Sequence, residues 1–179
     1  MTTKGQNTPK LVEKLENKRM YCEQPFVLAA LVAELVIDSC AAKIEHVDED
    51  LNAIEEESGL HGYDNRPRGN PLNMDFMRAI QILQFSNRTL GLDIIRLQFI
   101  VPTLQKIAVE SRKFAADQLG LETQVVFSDG LRMMEELVDS LENYCNNQLL
   151  RAGFQEKRIQ TQLSVVSHLY HFYERLFIV

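Results

Sequence analysis

The apolar positions of this chain fall at alternating steps of three and four residues over most of its length. Toward the end they recur at Leu131, Met134, Val138, Leu141 and Cys145, and again at Ile159, Leu163, Val166, Tyr170, Tyr173 and Phe177. Such steps keep a side chain on one stripe of an α-helix. The stretch from Leu131 to Val179 has no proline and a single glycine, Gly153, so one helix over 129–178 is expected. At 1.5 Å per residue it would run roughly 70 Å, a length that suits a stalk or coiled coil. A cluster such as Ile159, Leu163, Val166 and Tyr170 should carry much of its packing, at about 1.5–3 kcal/mol per fully buried large side chain.

Two further stripes precede it. Ala30, Ala33, Ile37, Cys40, Ile44, Val47, Leu51 and Ile54 predict a helix over 25–57, entered through Gln24-Pro25, since proline costs nothing in a first turn. Regularity over more than three heptads indicates helix-on-helix packing. The opening turns are apolar on every side (Val27, Leu28, Leu31, Val32) and should be buried all round, under a partner. The second half carries Glu45, Asp48, Glu49, Asp50, Glu55, Glu56 and Glu57, expected to face mostly away from the stripe. The third stripe is Phe76, Ile80, Leu83, Asn87, Leu90, Ile94, Leu97, Val101 and Leu104. It predicts a helix over 73–119, capped by Asn73 with Asp75 in its first turn and stopped at Leu119-Gly120. Asn87, polar on an apolar seam, would fix register. Pro102 removes a backbone donor and crowds the carbonyl of Gln98, so a kink is expected there.

Turn residues fill Ser58–Asn73, with Gly59, Gly62, Pro67, Gly69 and Pro71. Leu121–Gly130 reads as a short connection, with Ser128 or Asp129 capping the last helix. Residues 1–24 are polar and expected to be mobile, with at most a short amphipathic helix over Lys10–Met20. The pattern therefore gives an all-α fold: long antiparallel helices in one helical domain over 25–179, a bundle with coiled-coil-like, stalk-like character.

Composition narrows the function more than it defines it. The formal net charge is −6, against the basic footprint of a nucleic-acid surface. The odd, widely spaced Cys22, Cys40 and Cys145 read as reduced thiols, not a disulfide framework. No basic segment followed by an apolar run marks a secretory signal. The longest apolar run, Phe26–Ala33, is far short of the about 20 residues that span a bilayer. A cytoplasmic place, or one at the cytosolic face of a membrane, is expected.

Several groups of residues could carry chemistry, and each has a plainer reading. His168, His171 and Glu174 share a helix face and could bridge a metal, but no fourth ligand accompanies them. Glu45–Asp50 could attract divalent cations but lacks the glycine and ligand spacing of a calcium loop; a solvated helix face explains it. Asn87-Arg88-Thr89 is a formal glycosylation sequon on a helix. His61-Gly62-Tyr63-Asp64 holds acid–base residues that a turn explains. Tyr170, Phe172, Tyr173 and Phe177 suit either a core or the approach to a membrane interface, and the closing Leu176-Phe177-Ile178-Val179 suits either a packed strip or the lead into a membrane helix. There is no Gly-rich phosphate loop, nucleophile elbow or His-Glu-x-x-His. No enzyme, metal site, cofactor or small-molecule substrate is expected.

Three stretches resemble the cytosolic helical region of fungal CorA-like divalent-metal transporters. They are Gln24-Pro25-Phe26-Val27-Leu28 leading to Ala33-Glu34, Leu51-Asn52-Ala53-Ile54-Glu55 with Ser58-Gly59, and Arg158-Ile159-Gln160-Thr161-Gln162-Leu163-Ser164-Val165-Val166. The last is similar to the stalk-helix stretch ahead of that family's membrane segments. The resemblance implies a stalk region that assembles with copies or homologues. The family's Gly-Met-Asn pore loop has no counterpart here, so no pore residue carries over. The expectation is a partial homologue acting in oligomerisation or regulation, with self-association or a homologous membrane protein as partner. The alternative is a free-standing adaptor that binds a partner helix.

Overall fold

The computed structural model describes residues 7–17, 25–59, 69–118 and 124–177. Over these residues the chain is all-α and bundle-like: α1 (Asn7–Asn17), α2 (Val27–Ser58), α3 (Phe76–Gln118) and α4 (Gln124–Phe177), with a single 3-10 turn at Pro71–Asn73 ahead of α3. No strand occurs among the described residues.

Some ends differ from the pattern. The cap of α3 is Asp75, whose Oδ1 accepts from the Arg78 backbone N–H at 3.0 Å. Asn73 closes the 3-10 turn instead, its N–H donating to the Asn70 carbonyl. The last helix begins at Gln124, so Ser128 and Asp129, expected as caps, lie within it. Pro102 is inside α3, which continues through it to Gln118. In the opening segment, where the pattern allows a short amphipathic helix over Lys10–Met20, α1 spans Asn7–Asn17, and its Lys14 reaches Glu34 at 2.7 Å and Asp38 at 2.9 Å on α2. Burial works against the Lys14 charge, but the two carboxylates outweigh it and hold its pKa above the usual value.

The chain divides into two compact units, residues 1–40 with 96–149, and residues 41–95 with 150–179. In the first unit the core is made by Ala30, Leu31, Ile37 and Cys40 of α2, Leu97, Leu104 and Ile107 of α3, and Met134, Val138, Leu141 and Cys145 of α4. Gln105 bonds Glu142 and Arg112 bonds Glu135, so α3 and α4 run antiparallel. The Cys145 thiol donates to the Leu97 carbonyl at 3.4 Å. Burial, then the nearby Glu142 carboxylate, pushes this thiol up to about 11, which keeps it protonated and unreactive near neutral pH. In the single chain Val27 and Leu31 are buried while Leu28 and Val32 are half exposed; burial on every side, as expected for these turns, requires a partner on the open face.

In the second unit the core holds Ile44, Val47, Leu51 and Ile54 of α2, Phe76, Ala79, Leu83 and Leu90 of α3, and Ala152, Ile159 and Val166 of α4. Lys43 pairs with Asp93 and Ser86 donates to Asp50, so α2 and α3 are antiparallel. Arg151 pairs with Glu45 and Arg158 with Asp48 and Glu55, so α2 and α4 run parallel, as an up-down-up order requires.

The end of α2 is closed by two glycines. Gly59 has φ 68°, the left-handed conformation that glycine adopts without strain. The Glu56 carbonyl accepts from Gly59 N–H at 3.2 Å and again from Gly69 N–H at 2.9 Å, so the chain returns onto the helix end at residue 69. A Cβ on Gly69 would sit 2.5 Å from the Glu56 carbonyl oxygen and 2.7 Å from that of Glu57. Gly69→Ala should therefore break this closure and cost roughly 1–3 kcal/mol. Gly91→Ala is the control, because a Cβ there meets nothing within 4 Å and the helix gains about 1 kcal/mol in propensity. Thermal melts of the two variants should shift in opposite directions.

Candidate functional site

Heptad spacing places two kinds of unusual residue on the second unit: polar groups in the seam and large apolar groups on the outside. Gln155 and Gln162 of α4, seven apart, are buried, as are Ser86 and Asp93 of α3 and Glu55 and Ser58 of α2. Buried polar groups must be satisfied, and Arg158 is the hub that does much of this. Its Nε and Nη2 fork onto Glu55 Oε1 and Oε2 at 3.0 and 2.8 Å. Its Nη1 donates to Asp48 Oδ1 and to Gln155 Oε1, and its Nη2 donates to Asn52 Oδ1. Gln155 Nε2 donates to the same Asp48 oxygen at 2.8 Å. Burial disfavours the guanidinium charge, but Glu55 and Asp48 outweigh it and hold the Arg158 pKa above its ordinary value. The bidentate fork with a planar cation fixes α4 against α2 in both position and rotation.

Beside this hub is an open cleft of about 460 Å³ lined by Asp48, Asn52, Leu150, Arg151, Phe154, Gln155 and Arg158. Its charges are already paired within the protein, and Phe154 lies against Arg158, 5.9 Å from ring centre to Cζ. Its chemistry is that of a helix-to-helix clasp.

The outside of α3 carries a second heptad seam: Arg78, Gln81, Phe85, Arg88, Leu92 and Ile95, all exposed. The core seam of the same helix segment runs through Phe76, Ala79, Leu83, Ser86, Leu90 and Asp93. The two are offset by two residues, which places them on opposite sides. Phe85 is 68% exposed, Leu92 50% and Ile95 51%. Three large apolar side chains thus lie exposed along one outer stripe of α3.

The sequence candidates fare differently. His168 and His171 are exposed. His171 Nδ1 lies 3.6 Å from Glu174, whose other oxygen accepts from the Tyr170 hydroxyl at 2.7 Å; that bond and the Glu174 charge raise the Tyr170 pKa. No group of three or more metal-ligating side chains occurs among the described residues. The acidic run is not a uniform solvated face: Asp48 and Asp50 are half-buried and bind α4 and α3, while Glu45 and Glu49 pair with Arg151 and His46 at the surface. Asn87, expected to set register, is half-buried and accepts from Gln160 at 3.4 Å; the buried polar positions are its neighbours Ser86 and Asp93. Tyr170 and Tyr173 pack on Phe76, with ring centres 6.2 and 5.9 Å apart, and Phe172 is exposed. Leu163 is half-buried beside Gln162, which occupies the seam. His61-Gly62-Tyr63-Asp64, and the side chains of the last four residues, lie outside the described residues. No helix among the described residues is long and apolar enough to cross a membrane. No known protein family matches the chain, and neither a curated protein nor a solved structure matches it.

Proposed function

We propose that this chain is a non-enzymatic helical association module, akin to the cytosolic stalk region of CorA-like transporters, acting in oligomerisation or in regulating a homologue by helix packing. The observation that carries this reading is the outward seam of α3. Phe85, Leu92 and Ile95 repeat at the spacing with which one helix packs on another, yet in the single chain they are half exposed or more. Apolar groups that large gain about 1.5–3 kcal/mol each when a partner covers them fully. Arg158, which opens the stretch that resembles the stalk helix, supports the same reading, because it joins helices and leaves no free group for chemistry. A free-standing adaptor would use the same face and differ in its occupant.

The test is the double variant Phe85→Glu with Leu92→Glu. In native extract the wild-type protein should migrate as a larger species, and the variant should fall to the 20.6 kDa chain with unchanged helical circular dichroism. An unchanged assembly would overturn the reading.

A further inference from the structure

Charge singles out what would cover the α3 seam. Within the second unit, none of the exposed residues of α3 is acidic, while Arg78 and Arg88 are exposed in the seam itself. Two copies of this seam would bring like charges together along an interface, which is unfavourable. The outer face of α2 in the same unit is its complement. Ala42 and Ala53 are exposed there, small enough to receive large side chains, and Glu49 and Glu57 supply exposed acid. Two bases lie near it: His46, exposed on this face and paired with Glu49 at 3.3 Å, and Lys43, turned toward α3 and paired with Asp93. The two faces also match in length. Positions 78–95 and 42–57 each extend over roughly 25 Å of helix.

We propose that the occupant is a second copy: the Phe85–Leu92–Ile95 seam of one chain docks on the Ala42–Glu49–Ala53–Glu57 face of α2 in the next. With the two helices antiparallel, Phe85 fills the space above Ala53 and Leu92 that above Ala42, while Arg88 meets Glu49 and Arg78 meets Glu57. The contact is heterologous, because the two faces differ, so it adds copies head to tail and stops only if the rotation closes a ring. This inference rests on the docking role of the α3 seam argued above and adds the identity of the partner.

The experiment is analytical ultracentrifugation of purified full chain, with two charge-reversed proteins and their mixture. One carries Arg78→Glu and Arg88→Glu; the other carries Glu49→Lys and Glu57→Lys. Wild type should grow in mass with concentration beyond a dimer, and less so at about 0.5 M salt. Each reversed protein alone should associate about tenfold more weakly or worse. Their equimolar mixture should regain wild-type association, because each reversed face then meets an opposite charge. A mixture that stays dissociated, or reversed proteins that each assemble like wild type, overturns the inference. If the charge variants assemble normally while Phe85→Glu with Leu92→Glu does not, the seam docks on something other than α2, and only the identity of the partner falls. If neither set alters the assembly of wild type, the docking reading falls with it. A wild type that stays at 20.6 kDa throughout also refutes the second copy, and the native-extract test then decides the docking reading by itself.

Discussion

Leu90→Glu is expected to unfold the second unit, whereas Leu92→Glu, two residues further along α3, should leave it folded. The side chain of Leu90 is 1% exposed and that of Leu92 50%. A glutamate at 90 would put a charge on a seam whose large side chains, Leu83, Ile44, Leu51 and Ile159 among them, are fully buried, and Lys43, which reaches this seam, is already paired with Asp93. Burying an unpaired charge exceeds the usual range of single substitutions and should cost on the order of 5 kcal/mol or more. That is a large part of the stability of a typical domain. At 92 the carboxylate points to solvent in the single chain, and in protein dilute enough to be unassociated the expected change is within about 0.5 kcal/mol. Urea unfolding followed by circular dichroism measures both. Similar losses at the two positions would mean that α3 does not carry two opposite seams.

Arg158→Ala should be the most damaging loss of a polar side chain. Its guanidinium serves Glu55, Asp48, Asn52 and Gln155 together. The Glu55 side chain is 8% exposed, so removing the arginine strands a nearly buried carboxylate. Breaking such a pair from one side costs about 3–5 kcal/mol. Arg158→Lys should recover only part, because a single ammonium cannot fork onto both Glu55 oxygens. Replacing both partners, Arg158→Met with Glu55→Leu, should restore much of the loss, since an apolar pair of similar volume carries no stranded charge. Denaturant midpoints of the wild type, Arg158→Met, Glu55→Leu and the double variant make a double-mutant cycle. Additive losses would show that Arg158 and Glu55 act independently and that the clasp is not one unit.

The α2 stripe was legible in the sequence, and every member of it from Ala30 to Ile54 is buried. Its seam positions are all apolar, so apolarity and burial coincide. Along α3 they part company. The pattern runs through Ile80, Asn87 and Ile94, which are half-buried, whereas the more buried positions are Ala79, Ser86 and Asp93. A helix with two neighbours buries a broad stripe, and large apolar residues at its flank hide a seam made of small and polar ones. The same happens on α4, where Gln148, Ala152, Gln155 and Gln162 occupy the seam and the apolar pattern lapses between Cys145 and Ile159. The seven-residue spacing of the three glutamines was the available signal. The Arg158 hub had little local signal, because its partners on α2 lie about a hundred residues away. The outer seam of α3 was hidden by its own apolarity: Phe85, Leu92 and Ile95 look like core until the offset from Leu83 and Leu90 is placed on a wheel.

The most direct test of the association module is a photo-crosslinking scan in the intact cell, one position at a time. A photoreactive residue at 85, 88, 92 or 95, on the outer seam of α3, should give a discrete heavier adduct. The exposed positions Lys157, Thr161 and Ser164 of α4 should give none. Adducts that follow the α3 stripe are the predicted result. Adducts absent from that stripe, or equally strong along α4, would contradict it.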